Sequence, residues 1–177
     1  MLNRILVAVD NSQSSQQVFD EAVSLAKLTD ANLMILHVLS PFDEQYVDPL
    51  FLQPTILYPQ LQRNNSTYVN DWEKLKENRF NWLKWLCQQA TQLGVKAEFS
   101  QNIGEASRMI CDMARNWEAD VIVIGRRGRQ GISELLMGSV SNYVLHHAPC
   151  SVFIVQRIIS DVEEVGNTKN VEIIGKV

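Results

Sequence analysis

A chain of 177 residues suits one domain, large enough to bury roughly 70% of its unfolded surface without disulfide or metal staples. Its 46% hydrophobic and 20% charged content is that of an ordinary globular protein. The net charge of −4 and pI near 5.4 argue against a general nucleic-acid binder. They also mean that a bound polyanion needs local donors, because the overall field repels it.

The opening MLNRILVAVD has too short an apolar run for a signal peptide or a membrane span, so a cytoplasmic protein without a membrane anchor is expected. Arg4 to Val9 reads as a buried parallel strand ending at Asp10. Asn11 to Ser15 is a polar loop and cap region. It leads into a helix to about Leu28 that places Val18, Ala22, Leu25 and Ala26 at helical spacing. Asn32 to Val38 is a second strand, apolar apart from Asn32 and His37.

Residues 40–66 hold four of the five prolines and little periodicity. A loop this long is a lid, a binding surface or a variable excursion. Tyr68 to Leu93 then reads as a long helix with Trp72, Leu75, Trp82, Leu83, Leu86, Ala90 and Leu93 on one broad stripe and Trp85 at its flank. Gly94 suits the C′ position. Lys96 to Gln101 alternates as a third strand, and Gly104 to Trp117 is a helix burying Ile110, Met113, Ala114 and Trp117. Val121 to Ile124 is a fourth strand, Ser139 to His147 a helix, and Ser151 to Val155 a fifth strand. Such alternation implies βαβ units around a parallel sheet. The tail 157–177, with a candidate strand at Val171 to Ile174, is an appended arm or disordered.

In open parallel sheets, ligands bind outside the carboxyl ends of strands where the winding reverses. Asp10 ends the first strand and Gly125 the fourth. If these strands are neighbours, both loops border one crevice. Asp10 then accepts a hydrogen bond from a ligand donor, or it caps the following helix. Gly125, Gly128, Gly138 and Ser139 follow a buried strand and precede a helix. Glycine lets the backbone approach closely, and the free amides and positive dipole end of the helix attract anions. Neither a Walker loop nor a G-x-G-x-x-G is present. Arg126, Arg127 and Arg129 could pair with phosphates bidentately or form a solvated basic loop. Ser139 and Ser141 could donate to a phosphate, and Ser139 could equally be an N-cap.

Other candidates are weaker. His146 and His147 are adjacent on a helix and point in different directions, and His37 lies on a buried strand, so packing and hydrogen bonding are expected. Cys87, Cys111 and Cys150 are widely spaced and have no neighbouring base, which suggests reduced core thiols. The residue types suggest no catalytic constellation.

Three segments resemble the universal stress protein family. ILVAVDNSQSS is similar to its opening strand and V-D-x-S loop, and ANLMILHV to its second strand. Gly125-Arg126-Arg127-Gly128, nine residues, then Gly138-Ser139 matches the G-x-x-G-x9-G-[ST] signature of the ATP-binding branch. SVSNYVLHHAPCSVFIV also follows the family pattern. The resemblance covers residues 1–156, leaving 157–177 as an extension.

What the resemblance implies is an α/β, Rossmann-like fold: one doubly wound, five-stranded parallel sheet in 3-2-1-4-5 order. ATP, with or without magnesium or manganese, would sit at the switch point. By carry-over, Val9, Asp10 and the backbone of Val38 would hold the adenine. Gly125 and its neighbours would sit by the ribose. Gly128, Gly138, Ser139, Val140 and Ser141 would surround the phosphates, and Asn11, Arg126 and Arg127 complete the expected ATP-binding set. Arg126 departs from the small residue frequent at its position. The family also implies a homodimer through strand five (Val152, Phe153, Ile154 and Val155), while the acidic composition and the short apolar opening lead to no expected nucleic-acid or membrane partner. The expected function is an ATP-binding stress-response regulator. The alternatives are a slow ATP hydrolase or phosphotransferase, for which no base is evident, and a nucleotide-free dimeric interaction module.

Overall fold

The computed structural model describes residues 2–12, 14–40, 42–43, 46–47, 65–126 and 137–156, with backbone alone at 42–43, 46–47 and 65–69. Its elements are β1 (Arg4–Ala8), α1 (Ser15–Thr29), β2 (Asn32–Leu39), β3 (Phe42–Asp43), β4 (Tyr46–Val47), α2 (Asn65–Gln92), β5 (Ala97–Ile103), α3 (Ala106–Asn116), β6 (Val121–Gly125), α4 (Ser139–His147) and β7 (Ser151–Val155). Five strands form one sheet in the order β5-β2-β1-β6-β7, and every ladder in it is parallel. Counted along the chain without the short pair β3–β4, this is the expected 3-2-1-4-5 order.

Side-chain alternation along the strands divides the core in two. Ile5, Val7, Val9, Leu33, Ile35, Val121 and Val123 pack under Phe19, Ala22, Val23 and Ala26 of α1 and Leu83, Leu86 and Ala90 of α2. On the opposite face, Leu6, Met34, Leu36, Val38, Ile122 and Ile124 pack against Ile110, Cys111 and Ala114 of α3 and Val144 of α4. The inner strands are buried on both faces, hence their continuous apolar runs. β5 is an edge strand with exposed residues along it, and its sequence alternates accordingly.

Gly94 ends α2 in a Schellman motif. It has φ +87, its N–H donates to Thr91 O, and Val95 N–H reaches back to Ala90 O, both at 3.0 Å. This confirms Gly94 at C′ and explains why Leu93, expected on the buried stripe, is 52% exposed: the helix has already ended at Gln92. Met113 and Trp117 are half-buried rather than buried, while Phe19 and Val23 of α1 belong to the core. The α2 helix begins at Asn65, three residues before the expected Tyr68. Within the expected irregular region, β3 and β4 pair antiparallel; residues 41, 44–45 and 48–64 lie outside the described residues, as does the tail 157–177.

At the amino-terminal rim of the sheet the polar groups are tied together. The Asp120 carboxylate accepts the N–H groups of Asn3 at 2.6 Å and Arg4 at 2.9 Å. These two backbone hydrogen bonds, Asn3's first, hold its carboxyl below the usual carboxylate range against the opposing effect of burial. Arg4 Nη1 donates to Trp117 O and Glu118 Oε2, and Trp117 Nε1 donates to Glu98 Oε1 at 2.7 Å.

The three cysteines are free, as expected. Burial raises the thiol of each above its ordinary range. Among the described residues, no helix is long and apolar enough to cross a membrane.

Candidate functional site

The winding reverses between β1 and β6. The chain passes from β1 to β2 on one side, and β6 joins β1 on the other, in register Ile5–Val121 to Ala8–Ile124. The carboxyl end of β1 at Val9-Asp10 therefore stands beside the carboxyl end of β6 at Gly125-Arg126, which is where an open α/β sheet leaves a crevice. The sequence left this adjacency as a condition; the ladder meets it.

Asp10 is half-buried, and of its two sequence-derived roles the structure decides against the helix cap. It does not cap α1, whose N-cap is Ser14, without a side-chain cap bond. Asp10 Oδ1 instead accepts from Ser12 N–H at 2.9 Å and Ser12 Oγ at 2.5 Å, an Asx turn that folds the loop back on itself. Its own N–H donates to Ser15 Oγ at 3.2 Å. Asn11 Oδ1 accepts from Arg79 Nη1 at 2.8 Å, which ties this loop to α2. Ser15 is buried. Only the local S-x-x-S clustering hinted at its part in the loop.

Val9 lies one residue past the last β1 ladder pair and keeps two hydrogen bonds to β2. Its N–H donates to Leu36 O at 2.9 Å, and its carbonyl accepts from His37 Nδ1 at 2.8 Å. His37 is almost fully buried and meets Trp82 edge-on, with ring centroids 5.7 Å apart and planes at 88°. For His37, packing and hydrogen bonding were expected, and both are found. What the sequence could not show is that the partner is a main-chain atom of the first strand's exit.

On the β6 side, Arg126 N–H donates to Val155 O at 2.8 Å, and Gly138 N–H donates to Arg126 O at 2.9 Å. The glycine loop therefore leaves and returns at one point. Ser141 fastens it: its buried hydroxyl contacts Arg126 O at 2.8 Å and Gly138 O at 3.1 Å. Both contacts use the same hydroxyl hydrogen, so this side chain braces the loop's base. Gly138 is the N-cap of α4, with φ −61 and ψ 151 and no side-chain cap bond; Ser139 is therefore the first helical residue and not the cap. The N–H groups of Ser139, Val140 and Ser141 come too early in the helix to have an intrahelical acceptor. They concentrate the positive end of the dipole at the mouth of the crevice.

Arg126 is half-buried beside this point. Arg127, Gly128 and Arg129 lie outside the described residues. His147 Nδ1 contacts Tyr143 O at 2.9 Å, and its ring stacks on Tyr143 at 4.0 Å. That is the packing role expected of it, away from the crevice. Among the described residues, no group of three or more His, Cys, Asp or Glu could hold a metal ion.

Fold and crevice together define a doubly wound parallel α/β protein with an anion-attracting helix start at its switch point. The sequence profile of the universal stress protein family matches residues 1–156, and the chain belongs to that family. It is 38% identical over 154 residues to the universal stress protein Sll1388 of Synechocystis sp., covering 86% of this chain and 97% of that one. Among solved structures it is similar to UspA from Lactobacillus plantarum, with a TM-score of 0.61 and 26% identity, covering 87% of this chain and 97% of that one. A universal stress protein family protein from Arabidopsis thaliana, solved with AMP bound, superposes with a TM-score of 0.58 at 17% identity, over 92% and 97% of the two chains. The universal stress protein from Archaeoglobus fulgidus, in complex with dAMP, does so with a TM-score of 0.55 at 24% identity, over 87% and 98%.

Proposed function

We propose that this chain binds an adenine nucleotide, ATP foremost, in the crevice between β1 and β6, and that it acts as a cytoplasmic stress-response regulator whose conformation or assembly follows nucleotide occupancy. One observation carries this reading. The first three amides of α4 lack helical acceptors at the same sheet edge where the Asp10 loop and the Val9–Val38 backbone stand. Anion donors and base-sized hydrogen-bonding groups thus flank one opening. Relatives of the same fold that hold AMP and dAMP support it.

In this reading Val9, Asp10 and the main chain of Val38 take the adenine, with Asn11 at the rim. Gly125 lies by the ribose. Arg126, Arg127, Gly128, Gly138, Ser139, Val140 and Ser141 surround the phosphates. Ser141 contributes its N–H, since its hydroxyl is engaged with two carbonyls. A magnesium or manganese ion would arrive with the triphosphate and draw its ligands chiefly from phosphate oxygens.

Binding is favoured over turnover. Hydrolysis needs a group that orients or deprotonates water near the phosphates, and the carboxylate among these residues, Asp10, belongs to the adenine side. A regulatory effect requires only that ATP prefer one state of the chain over another. Assembly would use β7, an edge strand of the sheet on which Phe153 is 46% exposed. Pairing Val152 to Val155 with a second copy would cover that edge.

Titration calorimetry with ATP tests the reading, together with identification of any nucleotide released on denaturing freshly purified protein. Binding in the micromolar range, about −8 kcal/mol, is expected. Absence of both released adenine nucleotide and measurable ATP binding at millimolar concentration would overturn it. Phosphate release at one turnover per minute or faster would replace the binding-only reading with an enzymatic one.

A further inference from the structure

We infer that His37 is a positioning residue for nucleobase recognition, which rests on the nucleotide-binding reading above. Its imidazole holds the exit of β1 in place of a ladder hydrogen bond, and so leaves the main chain of Val38 open to the base. The β1–β2 ladder ends at the Ala8–Leu36 pair. Val9 N–H still donates to Leu36 O, so the main-chain groups of Leu36 project toward β1. Two residues on, those of Val38 project the same way. Were the parallel ladder to continue, the Val9 carbonyl would accept the Val38 N–H. It accepts from His37 Nδ1 instead, at 2.8 Å.

That substitution has two consequences. The Val9 carbonyl is satisfied by a side chain rising from the α2-facing side of β2. The donor and acceptor of Val38, side by side on the backbone, are released toward the gap where β1 departs. A paired donor and acceptor is the complement of an adenine edge, which offers an exocyclic amine donor beside a ring-nitrogen acceptor.

The ring is set for this task. A carbonyl can only accept, so Nδ1 must carry a hydrogen in the neutral imidazole. Trp82, edge-on to it at 88°, limits its rotation. Burial on all sides keeps water from competing for the Val9 carbonyl.

Two variants and one spectrum test the inference. His37→Asn keeps a nitrogen donor on Cγ close to where Nδ1 stands; His37→Leu fills similar space without a donor. With wild-type protein that binds ATP, His37→Leu is expected to weaken ATP binding at least tenfold. His37→Asn should stay within threefold of wild type. Affinity for inorganic tripolyphosphate, which has no base, should change less than twofold in both. Equal loss of ATP and tripolyphosphate binding, or unchanged ATP binding in a folded His37→Leu, would overturn the role of His37. Wild-type protein that fails to bind ATP would instead count against the nucleotide reading. Nitrogen-15 NMR of the wild-type imidazole needs no variant to fold. The Nδ1–H tautomer is expected, and an Nε2–H tautomer would contradict the inference, because Nδ1 could then not donate to Val9.

Discussion

The two rims of the sheet are built to opposite plans. At the amino-terminal rim, the Asp120 carboxylate takes two backbone N–H groups, and Arg4, Trp117, Glu118 and Glu98 are joined in sequence by hydrogen bonds. At the carboxyl-terminal rim, β1 stops short of Val9, the first α4 amides have no acceptor within the helix, and the Ser141 hydroxyl braces the loop base. The same strands thus end in a closed polar clamp on one side and an open set of donors on the other. Closure serves stability. Openness leaves hydrogen-bonding capacity at the rim where the winding reverses.

The sharpest way to break this contrast is Gly138→Val. The N-cap φ and ψ of −61 and 151 suit any L residue, so conformation does not demand glycine there, and the variant tests whether a branched side chain crowds the phosphates. ATP affinity is expected to drop at least tenfold, about 1.4 kcal/mol, measured by calorimetry. Stability should fall by less than about 1 kcal/mol, the difference between glycine and a branched residue at an N-cap. Unchanged ATP binding would remove the phosphate-side assignment.

Ser141→Ala crosses the divide, because this residue closes a contact within the open rim. Losing its hydroxyl bonds to Arg126 and Gly138 should destabilise the chain by about 1 kcal/mol in urea unfolding. It should also weaken ATP binding a few-fold, since the α4 amides would be less firmly placed. A variant that loses stability while binding ATP as before would mean the brace plays no part in the site.

Asp120→Asn acts on the closed rim alone. Its half-buried setting at the sheet rim limits its cost to about 1 kcal/mol, and ATP affinity should stay within twofold of wild type. A tenfold change in affinity would show that the rims are coupled.

Acid should reproduce that effect more gently. The folded-state carboxyl of Asp120 is lowered from its ordinary 3.8, so its contribution is fully present well above that value. It begins to decline near 3.8, where the unfolded chain takes up the proton. It is gone once the pH lies below the folded-state value. The stability gap between wild type and Asp120→Asn should therefore narrow as the pH is lowered through this range. A gap that widens on acidification would reverse the assigned sign.

Much of the closed architecture was readable in advance, because burial on two faces writes itself into sequence as the largely apolar runs of β1, β2 and β6. Gly94 was legible for a related reason: a Schellman turn demands a left-handed residue, and glycine there stands out. The stripe of α2 was less so. Periodicity alone cannot tell that Leu93 comes after the last helical turn, and it missed Phe19 and Val23 because the buried face of α1 is wider than its spacing suggested. Strand order followed from resemblance to a family and not from periodicity, which carries no information on neighbours.

The open rim was harder to read. Glycines and serines announced a loop, yet residue types could not divide the labour between Ser139, the first helical residue, and Ser141, the brace. The Asp10 Asx turn and the His37–Val9 contact join residues to main-chain atoms, and a main-chain partner leaves no mark in a sequence.

The most direct test of the open crevice is a titration of isotope-labelled protein with ATP, followed amide by amide. Saturable shifts concentrated on Val9, Asp10, Val38, Gly125, Ser139, Val140 and Ser141, with Asn3, Arg4 and Asp120 undisturbed, are the expected result. Shifts gathered at the Asp120 rim, or no saturable shift at either rim, would contradict the account.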